Sequence, residues 1–276
     1  MKRAVNILKN VPKSSRNLRQ FSSAAESQKK TTHFGFTDVD ETEKEKKVHD
    51  VFANVAKKYD LMNDAMSMGV HRLWKDYYVG GLQIPYNAKI LDMAGGTGDI
   101  AFRLLRHSPT AKVTVSDINQ PMLDVGKERA QSERDIQTSR LEWVCANAEQ
   151  MPFESNTYDL FTMSFGIRNC THPEKVVREA FRVLKPGGQL TILEFSEVNS
   201  TLKPIYDAYS FNVIPVLGEI LASDRSSYQY LVESIRKFPN QDAFAQIIRE
   251  EGFEHVRYEN LTLGVCSIHK GTKPRK

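Results

Sequence analysis

The sequence predicts an α/β fold built on a Rossmann-like, mostly parallel sheet, and three observations predict it. A strand runs directly into a glycine-rich turn and a helix across residues 89–105. Strand and helix signals then alternate as far as Glu194. Beyond that point the alternation breaks, and an apolar, aromatic stretch precedes a final pair of strands. Alternating β and α elements favour a parallel sheet covered on both faces, with ligands bound outside the carboxyl ends of its strands.

The chain has 276 residues, 40% of them hydrophobic, enough for one good-sized core. Residues 1–21 hold Lys2, Arg3, Lys9, Lys13, Arg16 and Arg19 and no acid. Removing those six from the 38 basic residues leaves 32 against 34 acidic ones, so the basic balance belongs to the leader. A body without excess positive charge argues against nucleic acid as a partner. The acid-free leader, with Arg19-Gln-Phe21 ahead of Ser22-Ser-Ala24, predicts a mitochondrial transit peptide over 1–21. Residues 22–46 are polar and charged and read as a flexible linker, which leaves a single domain over 47–274.

Within it, Val48, Val51, Phe52, Val55 and Tyr59 follow helical spacing, and Leu73–Val79 predicts a second helix. Lys89–Met93 is a strand, Gly98–Arg106 a helix, Lys112–Ser116 a strand, and Pro121 to Glu133 a helix. Leu141–Cys145 and Tyr158–Ser164 are strands, and Glu174–Leu184 is a helix stopped by Lys185-Pro-Gly-Gly188. Gln189–Glu194 returns as a strand. Ile205–Leu221 and Arg225–Phe238 predict an inserted helical cap over about 202–238. Asp242–Glu251 is a helix, and Phe253–Tyr258 with Gly264–His269 form the last strand pair. The expected sheet has seven strands and ends in an antiparallel one. Cys145, Cys170 and Cys266 show no metal-ligand spacing, and no metal is expected. The longest uncharged run in the later chain, between Asp207 and Glu219, is too short to span a bilayer.

The chemistry concentrates in Lys89-Ile-Leu-Asp-Met-Ala-Gly-Gly-Thr-Gly-Asp99. A turn of small residues admits a nucleotide-like ligand to the backbone because no Cβ intervenes. Gly96-Thr-Gly98-Asp-Ile-Ala101 also fits the dinucleotide pattern G-x-G-x-x-A. Asp99 at the helix N-terminus and Asp92 at the strand end are expected to oppose a pyrophosphate there. S-adenosyl-L-methionine, with a sulfonium, an ammonium, two ribose hydroxyls and no phosphate, satisfies both acids. Asp117, 19 residues after Gly98, suits the ribose hydroxyls, with a helix N-cap as its alternative. Asn147 and Ala148 follow the third strand and suit an adenine edge, with Met151 and Phe153 as apolar walls. Ser164 ends the fourth strand, where the methionine end of the cofactor meets the acceptor. Arg168 and Asn169 follow closely, so both reach the acceptor. The alternative for Arg168 is a structural ion pair with Glu174 or Glu179.

Asp92-Met-Ala-Gly-Gly-Thr-Gly-Asp99, Ser164-Phe-Gly-Ile-Arg-Asn169 and Leu184-Lys-Pro-Gly-Gly188 resemble the signature blocks of the ubiquinone/menaquinone biosynthesis C-methyltransferase family. Tyr59-Asp-Leu-Met-Asn63, Gly69-Val-His-Arg-Leu-Trp-Lys75, Ser227-Tyr-Gln-Tyr-Leu-Val-Glu-Ser234 and Asn260-Leu-Thr-Leu-Gly264 extend the likeness over residues 48–274. The resemblance implies a class I S-adenosylmethionine-dependent methyltransferase fold. It also implies C-methylation of a polyprenylated methoxy-benzoquinol ring in ubiquinone synthesis, with a naphthoquinol as the other acceptor of bacterial members. It places Thr97, Asp117, Asn147, Ala148 and Ser164 at the cofactor, beside Gly96 of the glycine turn. Ala94 stands where other methyltransferases usually carry glycine, as it does in this family. On this reading Arg168 stabilises the developing phenolate, directly or through a water, and Asn169 orients that water or a ring oxygen. Tyr59, His71 and Tyr206 are candidate substrate contacts, and the apolar cap is expected to receive the polyprenyl tail. The resemblance further implies a mitochondrial matrix protein, peripheral on the inner membrane and associated with other ubiquinone-synthesis enzymes. A nicotinamide-dependent oxidoreductase and a non-catalytic scaffold of a quinone-synthesis complex remain as alternatives.

Overall fold

The computed structural model describes residues 31–55, 63–64, 66–222 and 225–276, without the side chains of 54–55 and 220–222. The hairpin β1 (Thr31–Phe34) and β2 (Thr37–Asp40) leads into α1 (Glu41–Val55), and α2 spans Val70–Gly80. The alternating section runs β3 (Lys89–Met93), α3 (Asp99–His107), β4 (Lys112–Asp117), α4 (Gln120–Ser132), β5 (Leu141–Cys145), β6 (Tyr158–Ser164), α5 (Pro173–Val183) and β7 (Leu184–Phe195). Then come α6 (Lys203–Asn212), α7 (Ile214–Ala222), α8 (Arg225–Lys237), α9 (Gln241–Glu250), β8 (Glu254–Leu261) and β9 (Cys266–Thr272).

The seven strands lie in the order β5-β4-β3-β6-β7-β9-β8. β9 runs opposite to the other six, so the antiparallel strand closes the chain but sits inside the sheet, between β7 and β8. β3 shows why the sheet needs cover on both sides. Its successive side chains alternate, Ile90 joining one apolar cluster with Leu104, Val113 and Leu123. Leu91 and Met93 join the other cluster, with Val176, Val177, Leu190 and Phe244. Chain order reverses at β3 and β6, which pair in parallel, so their carboxyl ends form the switch point where a doubly wound sheet binds ligands.

Three expectations need correction. Residues 31–40 of the expected linker form the hairpin, and 41–46 are the first turns of α1. Phe34 stacks on Tyr230 of α8 with ring centroids 4.0 Å apart, and the Phe36 amide donates to Glu233 at 2.9 Å, so this segment is held in the fold. The cap is two helices where one was expected between Ile205 and Leu221, with the break at Val213. Pro215 there has no amide to continue the ladder. β7 also begins at Leu184, because Leu184 pairs with Tyr158 before a register shift absorbs the Pro186-Gly-Gly188 turn. Among the described residues no helix is long and apolar enough to cross a membrane.

Candidate active site

A cavity of about 310 Å³ opens at the carboxyl ends of β3, β4 and β6. Asp92, Gly96, Thr97, Asp117, Asn147, Ala148, Ser164 and Asn169 all line it. The glycine loop needs its composition for two distinct reasons. Gly96 takes φ +51°, and Gly95 sits where a Cβ would come within 2.6 Å of Val115. Asp117 Oδ2 accepts the Gly96 amide at 3.0 Å, and its Oδ1 accepts the Asn119 amide at 2.8 Å. Asn119 caps α4, receiving the Met122 amide at 3.3 Å, so the capping alternative for Asp117 falls to its neighbour. Burial raises the Asp117 carboxyl to about 6, partly offset by those amides. Asp92 is 1% exposed. Its Oδ1 accepts the Thr162 hydroxyl at 2.8 Å, while its Oδ2 is buried without a partner. Burial pushes this carboxyl up to about 7. The Thr97 hydroxyl accepts from Arg129 at 2.9 Å, and Asn147 Oδ1 closes its own turn on the Glu149 amide at 2.8 Å. These two side chains brace the wall, leaving backbone groups and the Asn147 amide nitrogen for a ligand.

Asp99 does not act as a free negative charge. Lys75 Nζ lies 2.7 Å from its Oδ2, and Arg103 bonds its Oδ1. Burial presses the Asp99 carboxyl upward, but Lys75 and Arg103 outweigh it and hold it at about 2. Its charge is compensated locally, so the electrostatic case against a pyrophosphate rests on Asp92.

Arg168 departs furthest from expectation. Among the described residues it does not line the cavity. Its guanidinium is 2.9 Å from Glu194, donates to the Phe165 carbonyl and lies 5.3 Å from the Phe195 ring centre. Glu194, at the end of β7, also accepts the Arg168 and Phe195 amides. The alternative of an ion pair with Glu174 or Glu179 is not met either: Arg168 pairs with Glu194, while Glu174 binds His172 and Glu179 binds Arg182. Asn169 does face the cavity, its Oδ1 accepting the Tyr230 hydroxyl at 3.0 Å.

The ubiE/COQ5 methyltransferase family matches residues 40–273. The chain belongs to this family. It is 83% identical to the mitochondrial 2-methoxy-6-polyprenyl-1,4-benzoquinol methylase of Caenorhabditis elegans, with all of both chains covered. A Drosophila melanogaster protein of the same name is 52% identical over 94% of this chain and 92% of its own. The ubiquinone/menaquinone biosynthesis C-methyltransferase UbiE of Cereibacter sphaeroides is 55% identical over 88% of this chain and 97% of its own. Among solved structures, a SAM-dependent methyltransferase of Thermotoga maritima shares the fold. Its TM-score is 0.59 at 18% identity, over 82% of this chain and 98% of that one.

In this methyltransferase Ala94 adopts φ +53°, a left-handed conformation that glycine enters without cost. Other expected contacts fall elsewhere. His71 Nε2 bonds Asp64 Oδ1 at 2.8 Å, and Tyr206 lies under Arg236 at 5.2 Å; neither lines the cavity. Tyr59 lies outside the described residues. Met151 and Phe153 pack in and against the second core cluster, and Ile118 and Met122 supply apolar wall in their place. Sequence reading missed one side of the site altogether. Glu45, Val48, His49 and Phe52 of α1 line the cavity, and the His49 carbonyl accepts from Asn119 at 2.9 Å. The apolar stripe Val48–Phe52 was a usable signal for a helix that needed covering, but not for what it covers.

Proposed function

We propose that this protein transfers a methyl group from S-adenosylmethionine to a ring carbon of a polyprenylated methoxy-benzoquinol in ubiquinone synthesis. One observation carries the reading: the buried Asp92, near the end of β3, and the partly buried Asp117, at the end of the adjacent β4, flank one glycine loop, and Asp92 Oδ2 has no partner among the described residues. An orphaned buried carboxylate oxygen calls for a cation or a hydroxyl, which an ammonium supplies and a pyrophosphate does not. Asp117, accepting one amide on each oxygen, keeps lone pairs for a ribose diol. Asn147, Ala148, Ile118 and Met122 would bracket the adenine, and Thr97, Gly96 and Ser164 the chain between. Bound there, S-adenosylmethionine supplies an electrophilic methyl on a sulfonium.

The acceptor carbon becomes nucleophilic when a neighbouring ring hydroxyl loses its proton to a water. Once that carbon has taken the methyl it releases its own hydrogen as a proton to solvent, and the aromatic ring is restored. Asn169, fixed through its Oδ1 by Tyr230, keeps its amide N–H groups for a ring oxygen or a water beside it. Arg168 serves as a positioning residue: clamped to Glu194, it fixes the turn that presents Asn169. The main effect of these groups is orientation of the ring and stabilisation of its oxygen. The tail would follow α6 and α7, where Ile205, Val213 and Val216 are exposed, past Tyr206. Identity to the mitochondrial relatives supports placement in mitochondria. A cleaved leader over 1–21, a peripheral site on the matrix face of the inner membrane and association with other ubiquinone-synthesis enzymes complete the proposal.

The test incubates the protein with methyl-labelled S-adenosylmethionine and a short-tailed demethylated methoxy-benzoquinol under reducing conditions. Label on a ring carbon is the expected result. Label on oxygen, or none, overturns the assignment. Thermal stabilisation by NAD but not by S-adenosylhomocysteine transfers the site to hydride chemistry.

A further inference from the structure

Lys75 on α2 lines the cavity at 5% exposure and has no role so far beyond its bond to Asp99. That bond does not account for it. Asp99 also takes Arg103, whose Nε reaches the largely exposed Asp76. The buried Lys75 and the partly buried Arg103 thus share one partly buried carboxylate. Among the described residues Lys75 Nζ makes one hydrogen bond, to Asp99, and an ammonium carries three donors. Keeping an ammonium this deep, with donors unused, is costly unless an anion completes its shell. His71, one turn away on the same helix, is bonded to Asp64 and supplies no negative charge.

The same cavity holds the complementary defect. Asp92 Oδ2 lacks a partner and lies close enough to Asp99 to feel its charge. The cavity therefore presents, beside the glycine loop, a buried cation with donors unused beyond Asp99 and a buried carboxylate with one oxygen unpartnered among the described residues. A zwitterion matches that pairing and a neutral or purely anionic group does not. We propose that Lys75 binds the α-carboxylate of the cofactor's amino-acid moiety while Asp92 takes its α-ammonium. This rests on the cofactor reading above and assigns Lys75 as a further binding residue.

The experiment titrates wild type and Lys75→Met with S-adenosylhomocysteine and with its decarboxylated analogue, by calorimetry. Wild type is expected to bind the analogue about tenfold or more weakly, the size of a lost charge-assisted contact. Lys75→Met is expected to lose about the same factor on S-adenosylhomocysteine and almost nothing on the analogue. Lys75→Arg, which keeps the charge, should recover most of the discrimination. Equal binding of the two ligands by wild type overturns the role of Lys75 and leaves the cofactor reading standing. Equal loss on both ligands in Lys75→Met makes the residue structural and likewise overturns it. Failure of wild type to bind either ligand removes the cofactor reading and this proposal together.

Discussion

The two walls of the cavity use their polar groups in opposite ways. The glycine-loop wall, at β3 and β4, leaves valence open: Asp92 Oδ2 is orphaned among the described residues, and Asp117 lines the cavity with one backbone amide on each oxygen and lone pairs to spare. The opposite wall, the turn from Phe165 to Asn169, ties its two long polar side chains to other elements through Arg168–Glu194 and Asn169–Tyr230, and leaves Arg168 Nε and the Asn169 amide nitrogen as its open groups among the described residues. Open valence in a buried site is unfavourable to the fold and favourable to a ligand. Closed valence does the reverse. The first wall is therefore built to bind, and the second to hold a shape against which an acceptor ring is positioned.

The comparison is broken most severely at Glu194. Glu194→Ala leaves the Arg168 guanidinium buried and unpaired, and the expected loss is about 3–5 kcal/mol of stability. The double variant Arg168→Met/Glu194→Leu should recover much of that loss in chemical denaturation, because no buried charge remains. If Glu194→Ala unfolds at the wild-type denaturant concentration, the turn is not held by this pair and Arg168 is free for chemistry.

Asp92→Asn sharpens the other half. In the ligand-free protein burial raises this carboxyl from 3.8 to about 7. Between those values the native state binds the proton and the unfolded state has released it. Asp92 thus favours folding at low pH, and that contribution is lost as pH rises from about 4 to about 7. Binding an ammonium needs the charged form, so affinity for S-adenosylhomocysteine should climb over the upper part of that range. Asp92→Asn is expected to flatten this climb, weaken binding about tenfold at pH 8, and leave the ligand-free melting temperature unchanged or higher. A variant that loses stability at pH 8 would show that the open oxygen belongs to the fold rather than to the ligand.

How much of each wall was legible in sequence follows from the same contrast. The loop wall is local: strand end, glycines and two acids lie within 92–117, so Asp92, Gly96 and Asp117 could be placed by spacing alone. The partner wall is assembled from distant segments. Arg168 meets Glu194, 26 residues later on the next strand, and Asn169 meets Tyr230 in the cap. Nothing in a turn that follows a strand end distinguishes a cation facing outward from one folded back onto a neighbouring strand. Asp99 misled for a related reason, since its compensation by Lys75 comes from α2, before the sheet begins. The hairpin at 31–40 was missed because two four-residue strands rich in Thr and Asp carry no alternation long enough to read. Its order comes from Phe34 stacking on Tyr230, nearly two hundred residues away in sequence.

The smallest expected effect tests whether the two walls are independent. They meet at Gly166, where an added Cβ would fall 2.5 Å from the Ala94 Cβ, with Met163 Cε at 3.2 Å. Gly166 has an ordinary φ of −116°, so backbone strain is not the obstacle to a side chain there. The obstacle is Ala94, which itself occupies a left-handed position that glycine fills more readily. Gly166→Ala is therefore expected to destabilise the protein by about 1–3 kcal/mol through overpacking, with Met163 able to move aside and Ala94 not. Ala94→Gly alone should be close to neutral, because relief of the positive φ is offset by a more flexible unfolded chain. Combined with Gly166→Ala it removes the clash, so the double variant should regain about 1–2 kcal/mol over the additive value. Additive losses in that cycle would mean that the turn relaxes without reference to the glycine loop. The shape-holding wall would then be set by Arg168–Glu194 alone, and the methyl donor and acceptor would be positioned by separately tunable parts.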